Sequence, residues 1–225
     1  MNGQFFEGLK NRYGIDLNHQ QRQAVVHKNG PCLILAVPGG GKTTALLART
    51  AYLIEEEKVS PGNILSITFS RASANDMKKR FYDMGLGNGL GKVNFSTIHS
   101  FSYRVVMAYN KSLGLSPRLI EGAEAGKWSK VLLLKNLYLK FNKEYISDSD
   151  LDILMNDISY VKNSMYDRSQ ISKYKSEISF FAGIFNEYES VKRDNNCIDF
   201  DDMLVQCYEI LMNNQRALEA YRKRY

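Results

Sequence analysis

The sequence predicts an α/β fold: a parallel sheet with helices on both faces, interrupted by an inserted all-helical subdomain. Three observations predict it. One continuous apolar run, Cys32-Leu33-Ile34-Leu35-Ala36-Val37, reads as a strand covered on both faces, and a second run, residues 64–69, reads as another buried strand. Each run is followed by a helical pattern, and strand–helix alternation calls for a parallel sheet. Beyond residue 112 the period becomes helical only.

The elements follow in order. Residues 18–27 read as a helix with Asn18 as N-cap and Gln21 three positions on. The first apolar run follows, then a Gly-rich turn, then a helix over about 43–58. Pro61-Gly62 is a turn, and residues 64–69 are the second strand. Ser70 or Ser73 caps a helix that runs to Met84, with Gly85 as its stop. Residues 93–96 form a short third strand, and Thr97 caps a helix over about 98–109. Gly85, Gly87, Gly89 and Gly91 follow a helix and precede a strand, so they read as a loop and not as a dinucleotide fingerprint. Helical segments are expected near 123–141, 148–164 and 171–194, and a last helix or pair of helices over 199–225. Asp199 and Asp202 stand at the right spacing to cap it. The expected domains are 1–112, the helical block 113–192, and a return to the first domain over 193–225.

Composition narrows the function. The chain has 225 residues, 44% of them hydrophobic, enough for a sizeable core. No apolar run reaches the roughly 18 residues of a membrane helix, and the N-terminus lacks a signal-peptide layout, which points to a cytoplasmic protein. The 3 cysteines are scattered without a C-x-x-C pair and the 3 histidines without ligand spacing, against a disulfide scaffold or a zinc site. Residues 1–112 carry 14 Lys/Arg against 7 Asp/Glu, residues 113–192 carry 11 of each, and residues 193–225 carry 5 against 6. The positive charge therefore sits in the first half, as expected for a partner rich in phosphate.

The most specific segment is Ala36-Val37-Pro38-Gly39-Gly40-Gly41-Lys42-Thr43-Thr44, set between a strand pattern and a helix pattern. Glycines let successive N–H groups turn inward, and with the helix N-terminus these make a nest for the β- and γ-phosphates. Lys42 would set its ammonium against the same phosphates, and Thr43 would offer its hydroxyl to Mg²⁺. Pro38, Gly39, Gly40, Gly41 and Thr44 complete the cradle. ATP and Mg²⁺ are the expected cofactors.

Four further segments stand in order around this loop. They are residues 17–25 (LNHQQRQAV), 68–77 (TFSRASANDM), 96–101 (STIHSF) and 198–204 (IDFDDML). Together with the loop they resemble the N-terminal half of UvrD/Rep/PcrA helicases, superfamily 1 translocases that move 3′ to 5′ on DNA. The resemblance implies a RecA-like P-loop NTPase fold, with residues 113–192 as subdomain 1B and the rest as part of subdomain 1A. It implies that Gln21 bonds the adenine and that Arg22 supports the nucleotide site. It implies that Phe69, Ser70, Arg71, Thr97 and His99 line a path for single-stranded DNA, where an aromatic ring stacks on bases and small polar groups hold phosphates. Arg71-Ala72 departs from the Asn and Lys common at those positions.

Phosphoryl transfer also needs an acid for Mg²⁺, a base for water and an arginine. In the family the first two are an adjacent Asp-Glu, and this sequence contains no Asp-Glu pair. The chain therefore reads as truncated before the Walker B strand, an N-terminal part of a helicase (nucleoid-associated, acting on single-stranded DNA and single/double-strand junctions), inactive without the remainder of the helicase chain. The alternatives are the helicase portion of a helicase–nuclease and a nucleotide- or DNA-binding module without turnover. A small phosphotransferase such as a kinase lacks the segments at 17–25 and 96–101.

Overall fold

The structure, a computed structural model, describes residues 2–86, 91–122 and 128–225. It is mixed α/β, mostly helical, with two small parallel sheets. Two compact units divide it: residues up to Ile98 with 221–225, and residues from His99 to Ala220.

The first unit holds α1 (Asn2–Tyr13), α2 (His19–Val26), α3 (Lys42–Glu55), β1 (Leu65–Thr68), α4 (Arg71–Asp83) and β2 (Asn94–Thr97). Strands β1 and β2 pair in parallel, with Leu65 opposite Asn94 and Thr68 opposite Thr97. The core joins Phe5 and Leu9 of α1, Val25 of α2, Leu47, Ala48, Ala51 and Tyr52 of α3, and Met77 and Phe81 of α4. Helix α1 went unread in the sequence, although Phe5 and Leu9 stand one helical turn apart and both are buried. The Asn18–Gln21 spacing forms a full capping box, with the side chain of each residue accepting the backbone N–H of the other at 2.9 Å. Ser70 caps α4 through the Ser73 N–H. Gly85 ends α4 at φ 71°. There Gly85 N–H bonds Tyr82 and Leu86 N–H bonds Phe81, the paired bonds of a Schellman stop, and Leu86 is fully buried. Of the expected glycine loop, residues 87–90 lie outside the described residues.

The expected strand over residues 32–37 is not formed. Leu33 is 84%, Leu35 86% and Val37 72% exposed. The described strands pair only β1 with β2 and, in the second unit, β3 with β4. An apolar run becomes a strand only where another backbone offers ladder bonds, and no described strand lies beside this one.

The second unit holds α5 (Ile98–Ser112, from its second residue), β3 (Arg118–Leu119), α6 (Lys130–Asn142), α7 (Asp148–Asn163), α8 (Arg168–Lys173), α9 (Phe181–Asp194), β4 (Cys197–Ile198), α10 (Phe200–Asn213) and most of α11 (Gln215–Arg224). Two expectations change here. The block 113–192 is not all-helical: β3 pairs in parallel with β4, two residues each, too short to leave a period of two. The single helix expected over 171–194 is two, α8 and α9. Between them Ser176 Oγ accepts the Ile178 N–H, and Phe180 takes a left-handed φ of 59°, which ends helical propagation. The expected segment near 123–141 begins at Lys130, and residues 123–127 are outside the description. The apolar stripes at helical spacing do form the core: Leu134, Leu137 and Tyr138 of α6 meet Leu151, Leu154 and Ile158 of α7 and Phe181, Ile184, Phe185 and Tyr188 of α9. Among the described residues no helix is long and apolar enough to cross a membrane.

Candidate nucleotide and nucleic-acid site

The phosphate loop is built by local chemistry. Gly40 N–H bonds the Val37 carbonyl at 3.1 Å and closes a four-residue turn. Pro38 holds its second position and Gly39, at φ 77°, its third, the pattern of a type II turn. Gly41 follows at φ 73° and is the N-cap of α3, with no side chain of its own to cap it. The first N–H groups of a helix have no partner within it, so the start of α3 offers N–H donors to an anion. Lys42 and Thr43 open α3. The Lys42 ammonium is folded back and donates to the carbonyls of Ala36 at 3.1 Å and Val37 at 2.9 Å. Thr43 and Thr44 are half-buried in the first turn.

Gln21 reaches this loop from α2. Its Oε1 accepts the Asn18 N–H, and its Nε2 donates to the Gly40 carbonyl at 3.2 Å. The capping role and the loop contact thus fall on one side chain. Arg22 points to other groups: Nε donates to the Leu17 carbonyl at 2.8 Å, Nη2 lies 3.3 Å from Asp16, and the guanidinium covers the Phe6 ring at 5.2 Å. The Asp16 carboxyl is held below its ordinary range, chiefly by the Lys10 ammonium bonded to it.

The residues that the resemblance assigns to a DNA path stand at strand ends. Because Thr68 pairs with Thr97, the ends of β1 and β2 lie side by side. Phe69 follows β1 and is 95% exposed. Ser70 caps α4 and Arg71 opens it, exposed. Thr97 is the last residue of β2 and is buried. His99 belongs to the second unit, where its exposed ring meets Phe200 edge-on at 6.4 Å between centroids.

Sequence reasoning missed a buried ionic network in the second unit. Asp199, fully buried, caps α10 and shares a capping box with Asp202. Lys162 Nζ lies 2.9 Å from Asp199, 2.5 Å from Asp202 and 3.2 Å from Glu189. Lys192 Nζ lies 2.9 Å, 2.7 Å and 2.7 Å from the same three. Tyr188 Oη donates to Asp199 at 2.7 Å. Lys130 meets Asp201 at 3.1 Å and Glu121 at 3.4 Å, and Ser159 and Asn163 also bond Asp201. The three carboxylates Glu189, Asp199 and Asp202 converge as metal ligands would. Two ammonium groups already occupy the space between them, so the site is filled by the protein's own cations. Burial would raise the Asp199 pKa, but the ammonium groups of Lys192, Lys162 and Lys130 outweigh it and hold it low. Burial and the Asp199 charge push Asp202 up. Burial works against the charged form of Lys162, and Asp199, Asp202 and Glu189 overcome it, so its pKa is raised. The available signal was that each lysine continues an apolar stripe: Lys130 before Leu134, Lys162 after Ile158, Lys192 after Tyr188.

The chain is 32% identical over 221 residues to the ATP-dependent DNA helicase UvrD1 of Mycobacterium tuberculosis, covering 93% of this chain and 27% of that protein. It is 29% identical over 222 residues to the ATP-dependent DNA helicase PcrA of Bacillus subtilis, covering 96% of this chain and 29% of that one. It therefore spans between 27% and 29% of the length of these relatives. The family model of the UvrD/REP helicase N-terminal domain matches residues 17–225, and the chain belongs to that family.

Proposed function

We propose that this chain supplies the ATP-binding loop and part of the single-stranded DNA path of an ATP-dependent DNA helicase that translocates 3′ to 5′. The observation that carries the reading is the loop itself, a proline–glycine turn delivering Lys42 and Thr43 at the open start of α3. Its donors fit a triphosphate: unpartnered helix N–H groups, a flexible ammonium, and no acidic side chain in residues 36–44. For Mg²⁺ the loop offers the Thr43 hydroxyl, and the ion would neutralise phosphate charge there. On binding, Lys42 exchanges the carbonyls of Ala36 and Val37 for phosphate oxygens. We assign Phe69 to base stacking and Ser70, Arg71, Thr97 and His99 to the strand's backbone, a set that tolerates any base sequence. Residues up to 112 and from 193 are assigned to subdomain 1A and residues 113–192 to subdomain 1B. Residues 32–37 are the position where a further strand would add beside the loop. No Asp-Glu pair occurs in these 225 residues, so the chain alone binds nucleotide weakly at best and hydrolyses little.

The test is titration of the chain with ATP and Mg²⁺ in the millimolar range, followed by ³¹P NMR. Lys42→Ala should weaken binding by about tenfold, the worth of one charge-assisted hydrogen bond. Equal binding by wild type and Lys42→Ala would remove the loop from the nucleotide site.

A further inference from the structure

Gln21 stands where the loop is least able to hold itself. Gly39 and Gly41 both have positive φ, and glycine has the most backbone freedom to lose. The two residues between which a nest must form, Gly40 and Gly41, are the two that Gln21 touches. Its Nε2 donates to the Gly40 carbonyl at 3.2 Å. The same nitrogen lies 2.6 Å from where a Cβ on Gly41 would stand. The other end of the amide is committed, since Oε1 accepts the Asn18 N–H at 2.9 Å. The base of the side chain is anchored too. Val25 of α2 is fully buried, and Arg49 of α3 donates to the Val25 carbonyl at 2.6 Å. A continuous path therefore runs from α3 through α2 and Gln21 to the loop that precedes α3.

We propose that Gln21 is a positioning residue for the phosphate loop, holding the Gly40 carbonyl so that the nest is preformed whatever base follows the phosphates. This rests on the reading of the loop as a nucleotide site. A nest attracts anions because its N–H groups face inward. A carbonyl swung into it would oppose a phosphate, and the Gln21 bond keeps that carbonyl engaged. The consequence separates this role from base recognition. A residue that only reads adenine affects ATP and is silent toward a ligand with no base. A brace affects every triphosphate alike.

The experiment uses the whole chain in four forms: wild type, Gln21→Ala, Asn18→Ala and Lys42→Ala. The ligands are ATP, GTP and inorganic triphosphate, each titrated in the millimolar range by ³¹P NMR. Amide hydrogen exchange across residues 36–44 is measured without ligand. Loss of one hydrogen bond corresponds to about a tenfold change. Gln21→Ala should lose about that factor toward all three ligands and should speed exchange of the loop amides. Asn18→Ala removes the cap of α2 and leaves the amide in place, so its loss should be smaller. A loss confined to ATP, with unchanged loop exchange, overturns the brace and leaves a base reader. An equal loss in Asn18→Ala also overturns it, since the effect would then be that of α2 fraying. If wild type binds none of the three ligands and Lys42→Ala exchanges like wild type, the nucleotide reading itself fails and takes the brace with it.

Discussion

Ion pairs of very different weight occur in this molecule, and burial separates them. Lys10 and Asp16 meet at 2.6 Å with both side chains more than half exposed. Such a pair is screened by solvent and adds little to stability. Lys162 is only 6% exposed and faces three carboxylates. Removing one partner from a buried pair strands the others and costs about 3–5 kcal/mol. Lys162→Met should therefore lower the melting temperature of the second unit sharply, and Lys10→Ala should leave it unchanged. Trp128, the only tryptophan, packs on the core of that unit, so its fluorescence reports this melt. A Lys162→Met melt within a degree or so of wild type would mean that the network carries no net stability. At this scale the loop was legible and the network was not. Pro38 and Gly39 dictate their turn within four residues. Lys162 and its aspartates lie 37 and 40 residues apart in sequence, and no local rule joins them.

Helix ends were the readable parts of the elements, because a cap is decided within three or four residues. Asn18, Ser70 and Asp199 cap as their spacing predicts, and Gly85 stops α4. Gly85→Ala should destabilise the first unit by about 1 kcal/mol, since alanine in a left-handed conformation costs 1–2 kcal/mol. Chemical denaturation followed by far-ultraviolet circular dichroism measures it, and an unchanged midpoint would show that the stop adjusts without strain. Strands were harder, because their bonds go to other elements. Within residues 64–69, Leu65–Thr68 find β2 and become β1, whereas residues 32–37, an unbroken apolar run, find no described partner. The pattern records a tendency to be covered, and the neighbour decides whether a strand forms.

For the molecule as a whole, charge placement sets the response to pH. Asp199 has its pKa depressed below 3.8, so its contribution is present above that value and lost as pH falls below it. Asp202 is shifted the other way, so its protonation adds stability as pH falls toward 3.8, before the loss from Asp199 begins. Lys162 and Lys130 are raised above 10.5, so their contribution is complete below that value and fades as pH climbs past it. The second unit should keep one stability through neutral pH and weaken at both extremes. In melts read by Trp128, the gap between wild type and Lys162→Met should narrow above roughly pH 11. A constant gap would assign the stability to packing instead. The family was legible from five short segments in order.

The uncovered run ahead of Pro38 has a consequence outside nucleotide chemistry. Six uncharged apolar residues, open to solvent and with no ladder partner among the described residues, are a template for intermolecular cross-β stacking. This stretch runs without a break into the loop proposed to grip phosphate. A strand laid along it would do two jobs at once, shielding the run from other copies and stiffening the loop that follows.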